Sequence, residues 1–186
     1  MIHELREYLF AHSNWPAYER LFRGACWHLR RNDFGELLGA WTTQHNDNTV
    51  GFLHLWAYDS LDTRARLRAD LLAKPRWNSE FIELVKPLML RQRLSVFNPA
   101  PFYPSSALPS TGFLHRISCS VGKATQVVSA LQAQSPLVWT TEFSDPNEVA
   151  CITAAQACVL VDGPSSTTSE AVKTVRTTPL QAFVHP

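Results

Sequence analysis

The sequence is poor in glycine, with 7 in 186 residues, and it has no glycine-rich phosphate loop and no Gly-x-Ser-x-Gly elbow. Nucleotide, flavin and nicotinamide cofactors are therefore not signalled, and no cofactor is expected. The four cysteines (Cys26, Cys119, Cys151 and Cys158) make no Cys-x-x-Cys pair. They read as reduced, mostly buried thiols of a cytoplasmic protein. Seven histidines occur without His-x-x-x-His spacing, so no metal site is expected. No charge of one sign prevails: 17 basic residues face 16 acidic ones. A nucleic-acid partner, which needs a basic excess or stripe, is not expected. Nor does any run approach the ~18 apolar residues that span a bilayer. The first residues, Met-Ile-His-Glu-Leu-Arg-Glu, have neither the basic nor the apolar region of a secretory signal. Neither membrane insertion nor export is expected.

What the chain does have is apolar content, 45% of residues, enough to bury a core without staples. Proline is concentrated at 98–110, where Pro99, Pro101, Pro104 and Pro109 forbid helix and central strand. The boundaries drawn from this are a first domain over 1–98, a linker over 99–110 and a second domain over 111–186.

The first domain reads strand, helix, strand, strand, helix, strand. Residues 2–10 alternate as a strand does. Asn14 can cap a helix with Pro16 in its first turn, whose stripe is Tyr18, Leu21, Phe22, Ala25 and Leu29. Residues 37–45 and 50–58 are strands around an Asn-Asp-Asn turn. Ser60 caps a helix to about Ala73, Lys74-Pro75 interrupts it, and a helix over 78–90 leads to a strand at 94–97. This βαββαβ order is the ferredoxin-like motif, and the class is α+β. Residues 113–120, 123–132, 137–143 and 149–153 repeat the order more weakly. Residues 154–162 are open between strand and helix, 168–174 are expected as a short helix, and 180–184 as a closing strand. Trp41-Thr42-Thr43 is echoed by Trp139-Thr140-Thr141 at the same place in the second copy, which favours duplication.

Strand alternation separates two sets of side chains in the first domain. Leu5, Leu9, Leu38, Ala40, Leu53, Leu55 and Ala57 suit packing under helices. Glu4, Arg6, Tyr8, Trp41, Thr43, His45, Phe52, His54, Trp56 and Tyr58 are aromatic and polar together. A core would read Val, Ile and Leu, and a wet face would not carry Trp41, Phe52 and Trp56. The mixture describes a ligand cavity, or a sheet-to-sheet interface with satisfied polar groups. His54 is the candidate catalytic acid/base, with a hydrogen-bonded core histidine as the other reading. Glu4 and Arg6, two apart on one strand, are expected to pair. Arg64 and Arg68 share a helix face and need a carboxylate, such as Glu4 or Glu36, or an anionic ligand.

At these residues the sequence resembles the NIPSNAP family. The runs that carry the resemblance are Glu4-Leu5-Arg6-Glu7-Tyr8, Gly35 to Thr43, and His54-Leu55-Trp56-Ala57-Tyr58-Asp59-Ser60-Leu61, followed by Arg64, Arg66, Arg68 and Trp77. The resemblance implies a dimeric α/β-barrel, in which ferredoxin-like sheets meet face to face, and a homodimer or larger assembly. It implies no single reaction. Two readings stand. One is a small-molecule-binding protein or cofactor-independent enzyme acting on an aromatic or acidic metabolite. In it Glu4, Arg6, Tyr8, Trp41, Thr43, His45, Phe52, Trp56, Tyr58 and Arg64 bind and His54 is catalytic. The other is a non-catalytic interaction protein that consumes its aromatic face in oligomerisation.

Overall fold

The computed structural model describes residues 1–46, 48–100, 108–132, 135, 137–143, 145–154, 156 and 170–183, with the side chains of 44–46 outside the description. The chain divides into two compact units, Met1–Leu94 with the residues from Ala182 onward, and Ser95–Gln181. Residues 101–107 of the proline-rich stretch, and Cys158, lie outside the described residues.

In the first unit, β1 (Ile2–Ala11), β2 (Glu36–Asn46) and β3 (Thr49–Tyr58) form an antiparallel sheet with β3 central. The opening residues of β4 (Met89–Pro99) lie beside β1, where Gln92 Nε2 donates to Tyr8 Oη at 3.2 Å. Between β1 and β2 run α1 (Trp15–Leu21), a π-helical turn (Phe22–Cys26) and α2 (Trp27–Arg30). Between β3 and β4 run α3 (Leu61–Leu72), α4 (Pro75–Trp77), a second π-helical turn (Asn78–Ile82), α5 (Glu83–Val85) and a 3₁₀ turn (Lys86–Leu88).

Local chemistry explains the breaks. Ser60 Oγ accepts from the Thr63 N–H at 3.1 Å and starts α3. Lys74 is extended, as a residue before proline must be, and Pro75 begins the next segment. Pro87 holds the last segment to a 3₁₀ turn, so the helix expected over 78–90 stops short of it and β4 begins at Met89. Asn14 does not cap α1 with its side chain; its Nδ2 donates to the Leu88 carbonyl at 3.2 Å. Gly35 has φ +106°, and a Cβ there would meet the Tyr58 ring at 2.6 Å, so only glycine fits.

The second unit contains β5 (Gly112–Cys119), α6 (Ala124–Gln132), β6 (Val138–Phe143), β7 (Glu148–Thr153) and β8 (Val172–Ala182). β5 pairs with both β7 and β8, and β7 pairs with β6, all antiparallel. As in the first unit, the third strand joins the first to the second, which is ferredoxin-like pairing. Residues 172–174, expected to be helical, begin β8, which ends at Ala182; residues 157–169 and Val184 lie outside the described residues. The core is aliphatic: Ile117, Val127, Leu131, Val138, Val149 and Cys151 are buried together.

The register of the first sheet overturns the expected division of its faces. Glu4 opposes Trp56, Arg6 opposes His54 and Tyr8 opposes Phe52, so these share one face. That face, and not the aliphatic one, lies under the helices: Phe22 meets Phe52 at 4.8 Å between ring centroids, and Tyr18 meets it at 5.7 Å. A β-bulge between Leu37 and Gly39 then moves β2 by one residue. Beyond it Trp41 opposes Leu53 and Thr43 opposes Gly51, whereas Ala40 opposes His54. Trp41 and Thr43 therefore sit with Leu5, Leu53 and Leu55 on the opposite face, away from the helices. Trp139 opposes Ala150, again on the face turned from the core that α6 shares with Val138 and Cys151. The repeated tryptophan thus has the same orientation in both units.

Candidate functional site: a cation-lined cavity in the first unit

The helices over the first sheet are built around large rings. Along α1, the π-helical turn and α2, the buried residues are Tyr18, Phe22, Cys26 and Arg30, every fourth one. The wide turn keeps that spacing on one face, where an α-helix would let it drift. Leu21, Ala25 and Leu29, expected in the stripe, are only partly buried. The second π-helical turn delivers Phe81, which stacks obliquely on Trp77 at 4.7 Å.

Between this aromatic layer and the sheet lies a cavity of about 240 Å³. Its inner wall is Arg6, Tyr8, His54 and Trp56 from the strands with Tyr18, Phe22, Cys26 and Arg30 from the helices. Its outer wall includes Leu72, Lys86 and Gln92, which are exposed, so the mouth lies at that end. Among the described residues, four cations (Arg6, Arg30, Arg68 and Lys86) line it and no Asp or Glu does.

Behind the wall stands one carboxylate. Glu4 is fully buried and accepts from Arg6 Nε and from Arg64 Nε, and from Arg68 Nη1 at 3.3 Å. Burial would raise its pKa, but the charges of Arg6, Arg64 and Arg68 prevail and hold it below the usual carboxylate range. Three arginines sharing one carboxylate leave the cluster cationic.

Arg30 adds another positive charge. It is 2% exposed, its guanidinium lies 3.5 Å over the Trp56 ring, and its Nη2 donates to the Phe34 carbonyl at 2.8 Å and to Tyr58 Oη at 3.0 Å. Among the described residues no carboxylate pairs with it, and its Nε has no hydrogen-bond partner. Burial lowers its pKa, and the Arg6 charge lowers it further.

His54 is enclosed by Tyr8, Phe22, Phe52 and Trp56, and stacks on Phe52 at 5.0 Å. Trp56 Nε1 donates to His54 Nδ1 at 2.5 Å. An indole N–H can only donate, so Nδ1 accepts and the proton of the neutral ring lies on Nε2. Nε2 is buried without a partner, as is Tyr18 Oη. Burial pushes the His54 pKa well below its ordinary value of 6.5, helped by the charges of Arg6 and Arg30. Each such unmet buried group costs about 1–3 kcal/mol. Tyr8 Oη accepts from Gln92 and, at 3.4 Å, from Arg6, leaving its own proton to give.

The residues expected from sequence thus separate. Arg6, Tyr8, His54 and Trp56 line the cavity, while Phe52 and Tyr58 support it through His54 and Arg30. Glu4 and Arg64 form the ion cluster behind it. Trp41 and Thr43 lie on the other face of the sheet, and the His45 side chain is outside the description. Sequence reasoning missed Tyr18, Cys26 and Arg30 as site residues. Their signal was the i, i+4 series that runs from Tyr18 through Phe22 and Cys26 to an arginine.

The NIPSNAP family model matches residues 3–104, more than half of the chain and all of the residues that line the cavity. The chain belongs to the NIPSNAP family. Among solved structures, this NIPSNAP chain is similar to protein Atu4242 from Agrobacterium tumefaciens, with 31% identity over 56% of this chain and 98% of that one and a TM-score of 0.50. It is similar as well to a NIPSNAP-like domain protein from Burkholderia xenovorans, with 31% identity over 58% of this chain and 91% of that one and a TM-score of 0.50. A candidate monooxygenase from Fusobacterium nucleatum matches 97% of this chain with 91% of its own, at 10% identity and a TM-score of 0.60. At that identity the likeness shows the fold alone, that of the dimeric α/β-barrel proteins. No curated protein matches the chain. No helix among the described residues is long and apolar enough to cross a membrane.

Proposed function

We propose that this NIPSNAP protein binds a small aromatic or acidic metabolite in the cavity of its first unit, as a binding protein or a cofactor-independent enzyme. The observation that carries this reading is a space of about 240 Å³ lined, among the described residues, by four cations, aromatic rings and no carboxylate. It is smaller than the ~300–1,000 Å³ of pockets that hold drug-sized ligands, which suits a metabolite. Helices of the same unit cover the part of the aromatic face that carries Phe52, which speaks against the alternative of a face consumed by oligomerisation. In this reading 1–98 and 111–186 are diverged copies joined by 99–110. The protein is cytoplasmic, in keeping with the buried Cys26 and Cys119 thiols, and assembles as a homodimer or larger.

The test is a metabolite screen by thermal shift on the wild-type chain and on Val85→Phe, which places a ring in the cavity wall. Ligands of the cavity raise the wild-type Tm and lose that effect in the variant. Ligands that act equally on both proteins would place binding elsewhere and sink the reading.

A further inference from the structure

Resting on the reading that the cavity holds a ligand, we infer that the ligand is a small acid with one oxyanion group, which His54 receives as a neutral Nε2–H donor without moving a proton. The groups left unsatisfied on side chains around the cavity are ones that an acceptor can satisfy. Tyr18 Oη, Arg30 Nε and His54 Nε2 are buried without partners, and each belongs to a side chain lining the same space. Arg30 Nε can only donate, and the hydroxyl of Tyr18 is free to. His54 is committed to donating, because the Trp56 indole occupies Nδ1. Among the described lining residues an amine would meet cations and donors with no carboxylate to receive it, whereas an oxyanion meets a charge and hydrogen-bond donors together.

The same geometry removes His54 as a general base. The one lone pair of its neutral ring accepts the Trp56 N–H, and the other nitrogen already carries its proton. Both nearby arginines, Arg6 and Arg30, oppose a second proton. The wall supplied by Phe22, Trp77, Phe81 and Val85 is apolar, and asks for a compact apolar body behind the charged group. Arg68 and Lys86, on the less buried part of the lining, attract the same charge sign.

The full chain is titrated calorimetrically with benzoate, phenyl phosphate, benzamide and benzylamine. One of the two oxyanions should bind about tenfold or more tightly than benzamide, and benzylamine should not bind. Preference for benzoate assigns a carboxylate, and preference for phenyl phosphate a phosphate ester. His54→Gln, which keeps an N–H donor, should retain affinity within about threefold, while His54→Phe should lose about tenfold. Ring ¹⁵N shifts of His54 in the wild-type protein should report the Nε2–H tautomer at neutral pH, whether or not the variants fold. Benzamide or benzylamine binding as tightly as the oxyanions, and abolished by Val85→Phe, overturns the ligand class while leaving the cavity reading intact. If no probe binds the wild-type chain, the inference and the reading beneath it both fail. Equal losses in the two His54 variants, or an Nδ1–H tautomer, overturn the role given to His54.

Discussion

The two units share a strand pairing but solve the space beneath their helices in opposite ways. In the first, β1 and β3 present Arg6, Tyr8, Phe52, His54 and Trp56 to rings on the helices. In the second, β5 and β7 present Ile117, Cys119, Val149 and Cys151 to Val127, Val128 and Leu131 of α6. Branched and small side chains interdigitate to crystal-like density, whereas stiff rings and guanidinium groups meet edge to face and leave gaps. The histidines make the same contrast. His115 is held at both nitrogens, by Thr177 Oγ1 at 3.0 Å and Thr153 Oγ1 at 2.7 Å, while His54 keeps one nitrogen unspent. In the first unit, buried polar groups without a partner sit on side chains that line free space.

The contrast can be broken most severely at Glu4. Glu4→Ala leaves Arg6, Arg64 and Arg68 without their shared carboxylate and should cost about 3–5 kcal/mol in urea unfolding. A loss below about 1 kcal/mol would mean that the cluster is held by solvent, as surface pairs are.

A matched pair of substitutions measures the packing difference itself. Cys26 and Cys151 are both buried, one beside the cavity and one inside the aliphatic core. Cys151→Met should cost about 1–3 kcal/mol through overpacking, and Cys26→Met less than about 1 kcal/mol because its side chain can enter free space. Equal costs would deny that the cavity is available space.

The smallest effect is titration of the first unit's buried histidines. His3 is lowered to about 4 by burial and the nearby N-terminus, and His54 lies well below 6.5. Both fold as neutral rings, so below about pH 6.5 the unfolded chain binds more protons than the folded one and stability falls as pH drops. Each contributes up to about 1.4 kcal/mol per pH unit, and nothing above pH 6.5. His54→Gln should flatten the slope of unfolding free energy between neutral and mildly acid pH, and an unchanged slope would show that His54 is not the group responsible.

Much of this was legible in the sequence, and the rest had specific reasons for being hidden. The order of the first unit follows from apolar period and from Ser60, Pro75 and the 46–48 turn. A cavity was one of two readings that follow from the mixed character of Arg6, Tyr8, His54 and Trp56. Its side of the sheet did not follow, because alternation sorts a strand into two sets without saying which one the helices cover. The placement of Trp41 and Thr43 failed for a different reason: one bulged residue at Leu38 inverts all that follows. Arg30 escaped notice because an α-helical period gives its stripe to Leu29, whereas the π-helical turn gives it to Arg30.

That turn also makes the lining sensitive to chain length. Five residues in place of the usual turn amount to one inserted residue, and Gly24 lies in the middle of it with nothing within 4 Å of a Cβ built there. Deleting Gly24 would restore an uninterrupted α-helix and rotate every later residue by about 100° around its axis. Cys26 and Arg30 would turn away from the cavity, and Arg30 would leave the Trp56 ring. One of the four lining cations thus owes its place to a single residue of chain length and can be gained or lost in one insertion or deletion, with the strands and their pairing untouched.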